Sequence, residues 1–194
     1  MDALDAIFAR RSIGRMRPPA PNEADLDMIL RAGAVAPDHN ELRPWKFVVL
    51  EGDAKVAFGG VLGDAYRARA QAAGKDIVPA KEEKERTKLG RAPMVVIVCA
   101  VNRGEDTIPF IEQYAAAAAA SQNMLLAATA LGYGSMWRTG DPAYDEDVKA
   151  ALGLTKQDAI VGFLYLGTPN EGGEKEPNEA DLDDLVVRWS PTTS

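Results

Sequence analysis

Residues 109–132, PFIEQYAAAAAASQNMLLAATALG, are the stretch around which the rest of the chain is organised. Proline suits the start of a helix and glycine suits its end, so the stretch predicts one helix over Pro109–Leu131 that is ended by Gly132. A helix of about 23 residues spans roughly 34 Å, the diameter of a whole domain. The alanines at 115–120 let a second helix approach closely, which favours a central helix at a tightly packed interface.

This stretch is also the one long enough to suggest a membrane span. It carries polar side chains that hydrocarbon would penalise, at Glu112, Gln113, Gln122 and Asn123. The N-terminus, MDALDAIFARR, has acids where a secretory signal needs basic residues. We therefore predict a buried helix, no membrane partner and a cytoplasmic location.

Continuous apolar runs predict strands that are buried on both faces. These runs are Met94–Val101 and Ala159–Leu166. A further strand is predicted at Trp45–Glu51, and another lies within GYGSMWRTG at 132–140, closing in a glycine turn. The one cysteine, Cys99, lies inside the first apolar run, which indicates core packing in a reducing compartment.

Shorter patterned segments predict further helices. Asp2 and Asn22 can each cap one, and Phe58–Tyr66 has helical spacing of its apolar residues. Asp145–Leu152 predicts another. Pro79 opens a charged segment, 79–91, which indicates either a solvated helix face or a mobile flap.

The composition fits one domain spanning residues 1–194. Hydrophobic residues make up 46% of the chain, enough to bury a core without disulfides. The 22 basic and 29 acidic residues give a net charge of −7, which disfavours nucleic acid as a partner. Residues 170–194 form an acidic extension. Its apolar patch, Leu185–Val187 with Trp189, predicts a lone tail strand that needs a sheet edge or an apolar surface, and a partner subunit is one candidate.

The inventory of reactive side chains argues against several common sites. His39 is the one histidine, so neither a Ser-His-Asp triad nor a zinc cluster has strong support. Gly132 and Gly134 begin a dinucleotide-binding glycine pattern, but Trp137 stands where its third glycine belongs. The chain also has no Walker-type phosphate loop.

The clearest chemical signal is the sequence Arg10, Arg11, Ser12 at the end of a predicted helix. Two forked cations beside a hydroxyl are the groups that bind a phosphate monoester. Arg15 and Arg17 extend this basic cluster with no acid among them. The alternative is that the arginines compensate the dipole at the helix end.

Several segments together, in this order, resemble the nitroreductase family of FMN-dependent oxidoreductases, and in particular its short YdjA-like branch. They are RRSIGRM at 10–16, APDHNELRPWKFVVL at 36–50, the alanine-rich helix, ALGYGSMWRTG at 130–140 and IVGFLYLGTP at 160–169. The resemblance implies an α+β, three-layer fold with a central, mostly antiparallel sheet flanked by helices. It also implies an intertwined homodimer with two FMN molecules at the subunit interface and a C-terminal extension exchanged between subunits.

The resemblance also assigns roles to residues. Arg10, Arg11 and Ser12 match the segment that holds the FMN phosphate and ribityl end. His39 matches a position that reaches the flavin from the other subunit, and the alternative is a histidine that stabilises its own loop. No metal site is implied.

A second group of residues matches the strand end that lies along the flavin ring. Trp137, Arg138 and Thr139 belong to it, and a backbone N–H near Thr139 or Gly140 is the expected donor to flavin N5. For Trp137 the alternative is core packing beside the strand, and Trp45 is interpreted as a core anchor.

The chain departs from the family pattern at two positions. Gly14 stands where many members have a basic residue near the pyrimidine edge of the flavin. Val35 stands where the short branch has a basic residue. In the acidic tail, little beyond Lys175 and Arg188 could serve as the late basic phosphate ligand of longer relatives.

The function implied is hydride transfer from NAD(P)H through flavin N5 to a flat electrophilic acceptor, such as a nitroaromatic or a quinone, in a ping-pong cycle. Family members with dehalogenase, azoline oxidase or flavin-cleaving activity share these motifs. Outside enzymes, the alternatives are a flavin-binding or storage protein with little turnover and a helical interaction protein built on the alanine helix.

Overall fold

The structure, a computed structural model, describes residues 1–104, 108–170 and 180–191. Its α-helices are α1 (Ala3–Ala9), α2 (Glu23–Ala34), α3 (Gly52–Ala72), α4 (Pro79–Thr87), α5 (Phe110–Ala130) and α6 (Glu146–Ala151). Its strands are β1 (Met16–Arg17), β2 (Trp45–Glu51), β3 (Met94–Ala100), β4 (Gly134–Arg138) and β5 (Ala159–Pro169). Short 3-10 helices lie at His39–Glu41, Lys88–Arg91 and Asp141–Tyr144.

The strands form a five-stranded antiparallel sheet in which β5 is the central element. The order is β1, β5, β3, β2, and β4 also pairs with β5. Phe163 of β5 pairs with Ile97 of β3 on one side and with Arg138 of β4 on the other. The continuous apolar sequence of β5 therefore reflects a strand with neighbours on both edges and layers on both faces.

Helices cover both faces of the sheet, which confirms the predicted three-layer α+β fold. Alternate residues of β3 supply the two cores, because successive side chains of a strand point to opposite faces. Val95, Ile97 and Cys99 pack in the cluster that contains Leu62 of α3. The residues between them pack in the cluster that contains Met124 of α5.

The alanine-rich helix α5 lies flat against the sheet, as predicted. Ala117, Ala120 and Ala128 are fully buried. The helix α2 approaches it so closely that a Cβ at Gly33 would lie 2.8 Å from Met124. Within the described residues, no helix is both long and apolar enough to cross a membrane.

Cys99 is fully buried in the β3 core, as its apolar surroundings predict. Burial raises the pKa of its thiol to about 12, which keeps it protonated at neutral pH. The side chain therefore acts as a small apolar core residue.

The charged segment 79–91 is anchored to α3 rather than detached from it. The guanidinium of Arg86 donates to Glu82, to Asp64 and to the carbonyl of Gly60, at 2.9, 2.6 and 3.2 Å. Hydrogen bonds from Arg86, and then from Arg67, lower the pKa of Glu82, so this carboxylate is charged at neutral pH. Of the two predicted alternatives, a helix with a solvated face describes α4 better than a flap does.

Several elements differ from the sequence-based expectations. The two-residue strand β1 was not predicted, and α3 extends well beyond the Phe58–Tyr66 segment. The described tail residues 180–191 form a turn around Leu182 and Leu185 and no strand with their own chain, so the predicted tail strand stays a prediction for a sheet edge on a partner subunit. The apolar tail side chains are exposed instead, Trp189 by 83%. Lys175 lies outside the described residues.

Two neighbouring glycines of α3 test how α4 is held. A Cβ at Gly59 would lie 2.1 Å from the Arg86 carbonyl oxygen, whereas a Cβ at Gly60 would come no closer than 3.9 Å to a flexible Arg86 side-chain atom. Gly59→Ala is expected to lower the free energy of unfolding by about 1–3 kcal/mol through overpacking. Gly60→Ala is expected to raise it by up to about 1 kcal/mol, because alanine favours a helix.

Chemical denaturation of both variants measures this difference, and amide hydrogen exchange across 79–91 localises it. Equal stabilities for the two variants would contradict the close packing of α4 on α3 at Gly59.

Candidate functional site

A short backbone pairing joins the two predicted flavin-binding segments. Ser12 forms an isolated parallel bridge with Ser135 of β4, and the Ile13 N–H donates to the Ser135 carbonyl at 3.0 Å. The Arg10–Ser12 segment therefore lies beside the strand that ends in Trp137 and Arg138. The structure thus brings together two groups of residues that are more than 120 positions apart in the sequence.

The two arginines of this segment differ in what they contact. Arg11 donates from Nη1 to the carbonyls of Phe8 and Arg10, at the C-terminal end of α1. This contact is the dipole compensation that the sequence left open as the alternative. The guanidinium of Arg10 has no hydrogen bond or ion pair with any residue that the structure describes, so it is available to an anion.

Arg138 lies beside Gly14 on the face of the sheet that α3 covers. A Cβ at Gly14 would lie 3.9 Å from Arg138 Nη2 and 4.0 Å from Met136 Sδ. The Arg138 guanidinium lies 5.9 Å from the centroid of the Tyr165 ring, a cation–π distance. The basic group that many relatives carry at position 14 thus has a candidate replacement in this chain.

Two adjoining grooves open at Arg138 and Tyr165. One, of about 70 Å³, has an apolar wall that includes Leu62 and Phe163 and reaches Thr139. The other, of about 200 Å³, is bordered by basic residues of the 79–91 segment, among them Lys88. Arg91 also borders it. Sequence analysis did not place these two basic residues in the site, although their positions in a charged segment were a usable signal.

Buried polar atoms without a partner provide a test of whether a cofactor fits here. Among the described residues such side-chain atoms are Arg69 Nη2, Ser135 Oγ and Arg138 Nε. Two of them belong to β4, next to the Ser12 bridge. Arg138 Nε lies on the groove side of the strand, and because buried polar groups are rarely left unpaired, it fits a ligand that supplies a hydrogen-bond acceptor, as FMN would.

Trp137 points to the opposite face of the sheet from Arg138. Its indole Nε1 donates to the Val161 carbonyl at 3.1 Å, and its ring packs with the α5-side core. A Cβ at Gly162 would lie 2.1 Å from the indole nitrogen. The side chain is thus engaged in core packing, the alternative that the sequence left open. Trp45 also packs against this core, as predicted.

Thr139 and Gly140 follow directly at the exposed end of β4. Gly140 has a φ of 97°, a conformation that residues with a side chain rarely adopt. The chain turns there into the 3-10 helix at Asp141–Tyr144. This turn leaves the backbone of both residues accessible at the edge of the grooves.

His39 contacts its own chain on the far side of the molecule. Its Nδ1 lies 2.9 Å from Glu112 Oε2, at the start of α5, and both side chains are about half exposed. This pair fits the loop-stabilising alternative.

The loop that carries this histidine runs into Trp45, which pairs with Ala100 at one end of β3. Ser135 pairs with Leu166, which pairs with Met94 at the other end. These two ends are roughly 20 Å apart, because a strand rises about 3.3 Å per residue. A single chain therefore does not bring the histidine together with the Arg10–Ser12 segment.

Comparison with known proteins shows the family of the chain. The family model described as the nitroreductase family matches residues 7–168. The chain belongs to the nitroreductase family. A relative from Escherichia coli strain K12, provisionally named NAD(P)H nitroreductase YdjA, is 42% identical over 96% of this chain and 99% of its own.

Solved structures show the same nitroreductase fold. A nitroreductase-like family protein from Bacillus cereus superposes with a TM-score of 0.80 at 21% identity, covering 98% of this chain and 97% of its own. A nitroreductase with bound FMN from Bacteroides fragilis superposes with a TM-score of 0.74 at 25% identity, covering 97% and 100%.

Replacing Trp137 separates core packing from contact with a cofactor. Trp137→Phe removes the hydrogen bond to Val161 and some buried area, so we expect a loss of about 1–2 kcal/mol of folding free energy. Retention of FMN by the purified protein is expected to be unchanged. Val56→Ala is the control, since Val56 of α3 is 74% exposed, and it should leave FMN retention unchanged and the folding free energy within about 0.5 kcal/mol of wild type. A Trp137→Phe protein of normal stability that loses its flavin would contradict this assignment.

Proposed function

We propose that this chain is an FMN-dependent oxidoreductase that takes electrons from NAD(P)H and passes them to a flat electrophilic acceptor, such as a nitroaromatic or a quinone. The observation that carries the proposal is the Ser12–Ser135 bridge. The bridge brings the Arg10–Ser12 segment beside the strand that holds Arg138, and the Arg10 guanidinium has no partner among the described residues. This adjacency supports a phosphate-binding end next to a ring-binding strand.

In this proposal Arg10 and Ser12 hold the FMN phosphate. A guanidinium can bind a phosphate through two parallel hydrogen bonds, and Arg10 is free to do so among the described residues. Arg11 stabilises the segment, because its contacts with α1 fix the C-terminal end of that helix. At the turn, a backbone N–H of Thr139 or Gly140 would donate to flavin N5.

Arg138 takes the place of the basic residue missing at position 14. When bound, FMN supplies the hydride-accepting chemistry at N5, and reduction adds negative charge to its pyrimidine end. A guanidinium next to Gly14 would stabilise that charge, and Lys88 and Arg91 border the same groove. The protein thereby positions the ring and sets its electrostatic surroundings.

The acceptor and the donor would use the same opening. The residues at the base of the groove, Leu62, Phe163 and Tyr165, are apolar or aromatic, which suits the face of a flat ring system. Because one opening serves both molecules, NAD(P)H must leave before the acceptor enters. A ping-pong cycle follows from this shared access.

A homodimer completes the proposed site. His39 cannot reach the Arg10–Ser12 segment of its own chain, so a contact with the flavin would come from a second copy. The α1, α2 and α5 side of the molecule also exposes large apolar side chains, including Phe8 by 70%, Val35 by 77% and Ile111 by 71%. Such a surface is suited to an interface between subunits, and the exposed apolar tail could cover part of it.

Removing the free arginine tests the phosphate site. Arg10→Ala is expected to fold normally but to purify without flavin, and to bind added FMN at least about tenfold more weakly, because a charge-assisted contact contributes about 1.5–3 kcal/mol. Fluorescence quenching of free FMN measures this affinity. Lys156→Ala is the control, since Lys156 is an exposed cation that lies outside both the proposed site and the α1, α2 and α5 side of the molecule. Full retention of FMN by Arg10→Ala would contradict the assignment.

Arg138 is tested through the reduction potential of bound FMN. Arg138→Met is expected to lower the two-electron midpoint potential by at least about 30 mV, which corresponds to a loss of about 1.4 kcal/mol. Arg138→Lys keeps the positive charge and should change the potential less. Equal potentials for wild type and Arg138→Met would remove Arg138 from this role.

A further inference from the structure

A separate cleft of about 610 Å³ lies next to the proposed flavin groove. Its walls come from the second half of α3, the connection that follows, the first turns of α4 and Asp141. The volume lies within the range of small-molecule sites, which are about 300–1,000 Å³. Nothing in the proposed FMN site uses this space.

The cleft gathers three lysines whose ammonium groups have no partner among the described residues. Lys75, Lys81 and Lys84 line it, and none of them makes an ion pair with a residue that the structure describes. Other basic residues of the same helices are paired, for example Arg67 with Glu82. Apart from the Arg69–Asp145 and Lys88–Glu85 pairs, the lining carries three ammonium groups and two carboxylates, Asp76 and Asp141, so it is slightly positive in a chain with a net charge of −7. Ammonium groups bind phosphates as point charges.

Arg69 adds a fixed cation to the same wall. Its Nη1 forms an ion pair with the buried carboxylate of Asp145. Its Nη2 is buried and has no hydrogen-bond partner in the structure. A buried guanidinium nitrogen without a partner needs an acceptor, and a ligand oxygen in the cleft would supply one.

The remaining walls suit a nucleoside rather than a bare phosphate. The hydroxyl of Tyr66 accepts a hydrogen bond from the Val78 N–H at 3.2 Å, which holds the ring at the edge of the cleft. Ala70 and Ala73 supply apolar surface beside it. The carboxylate of Asp76 can accept hydrogen bonds from ribose hydroxyls, the role that acidic residues have in dinucleotide sites.

The cleft adjoins the groove at Arg138. Lys84 and Glu85 line both, and Glu85 is itself neutralised by an ion pair with Lys88 at 2.7 Å. A ligand that fills the cleft can therefore extend past Lys84 to the Arg138 groove. A flat, uncharged acceptor would form no ionic contact with the lysines, whereas the two bridging phosphates of a dinucleotide would.

We propose that this cleft binds the adenosine diphosphate half of the nicotinamide donor, so that its nicotinamide end reaches the groove at Arg138. The inference rests on the proposed function, because that function supplies the donor. Lys75, Lys81 and Lys84 hold the phosphates, and the Tyr66 side of the cleft holds the adenosine. The lysines act as binding residues for the donor and take no part in holding FMN.

The test measures the binding of ADP to the FMN-loaded protein by titration calorimetry. The double variant Lys75→Met/Lys81→Met is suitable, because both side chains are exposed and neither lines the Arg138 groove. We expect ADP affinity to fall at least about tenfold, since charged hydrogen bonds are lost. Lys156→Met removes an exposed lysine that does not line the cleft and should leave ADP affinity unchanged.

Anaerobic stopped-flow reduction supplies the second readout. The double variant is expected to raise the dissociation constant for NAD(P)H by a similar factor, while the limiting rate of flavin reduction and the FMN content stay at wild-type values. ADP should compete with NAD(P)H in the wild type. ADP that binds without competing would overturn the inference, as would wild-type affinity in the double variant.

The two proposals fail in distinguishable ways. A protein whose FMN is reduced by NAD(P)H but which does not bind ADP keeps the proposed function and loses this inference. A protein that holds no FMN loses the proposed function, and this inference falls with it.

Discussion

The antiparallel pairing of β5 with β3 and β4 is the constraint on which the rest of the structure depends. β5 has a strand on each edge and helices on each face. Where neighbouring residues approach its backbone most closely, only glycine fits. A Cβ at Gly162 would overlap the indole of Trp137, and one at Gly167 would lie 2.5 Å from Pro93. The strand therefore fixes β4 in register, and β4 in turn fixes the Ser12 segment through Ser135.

As a result, the two faces of β4 have different roles. Trp137 ties the strand into the α5 core, whereas Arg138, one residue on, faces the grooves under α3. Strand periodicity thus lets one short sequence both anchor itself and present a cation. The docking of α4 through Arg86 completes the groove, because it brings the basic residues at 84–91 opposite Arg138.

Much of the fold follows from sequence patterns because the signals are strong. Continuous apolar runs predicted β3 and β5, and the boundaries of β2 match the prediction. Features that depend on tertiary contacts were harder to predict from the sequence. The position of α4 depends on an Arg86 network with residues about 20 positions away, and the two residues of β1 carry too little pattern. For the site, the pattern predicted the Arg10–Ser12 segment, but only the structure distinguishes Arg10, whose guanidinium has no partner among the described residues, from Arg11, which contacts the end of α1.

The most direct test of the central claim is an anaerobic spectral titration of the FMN-reconstituted wild-type protein with NAD(P)H. The account predicts that FMN stays with the protein through desalting, loses its visible absorbance on addition of the donor, and regains it when a quinone is added. Flavin that stays bound but remains oxidised would contradict the proposed oxidoreductase and favour a storage protein. Protein that emerges from desalting without flavin would contradict the proposed site itself.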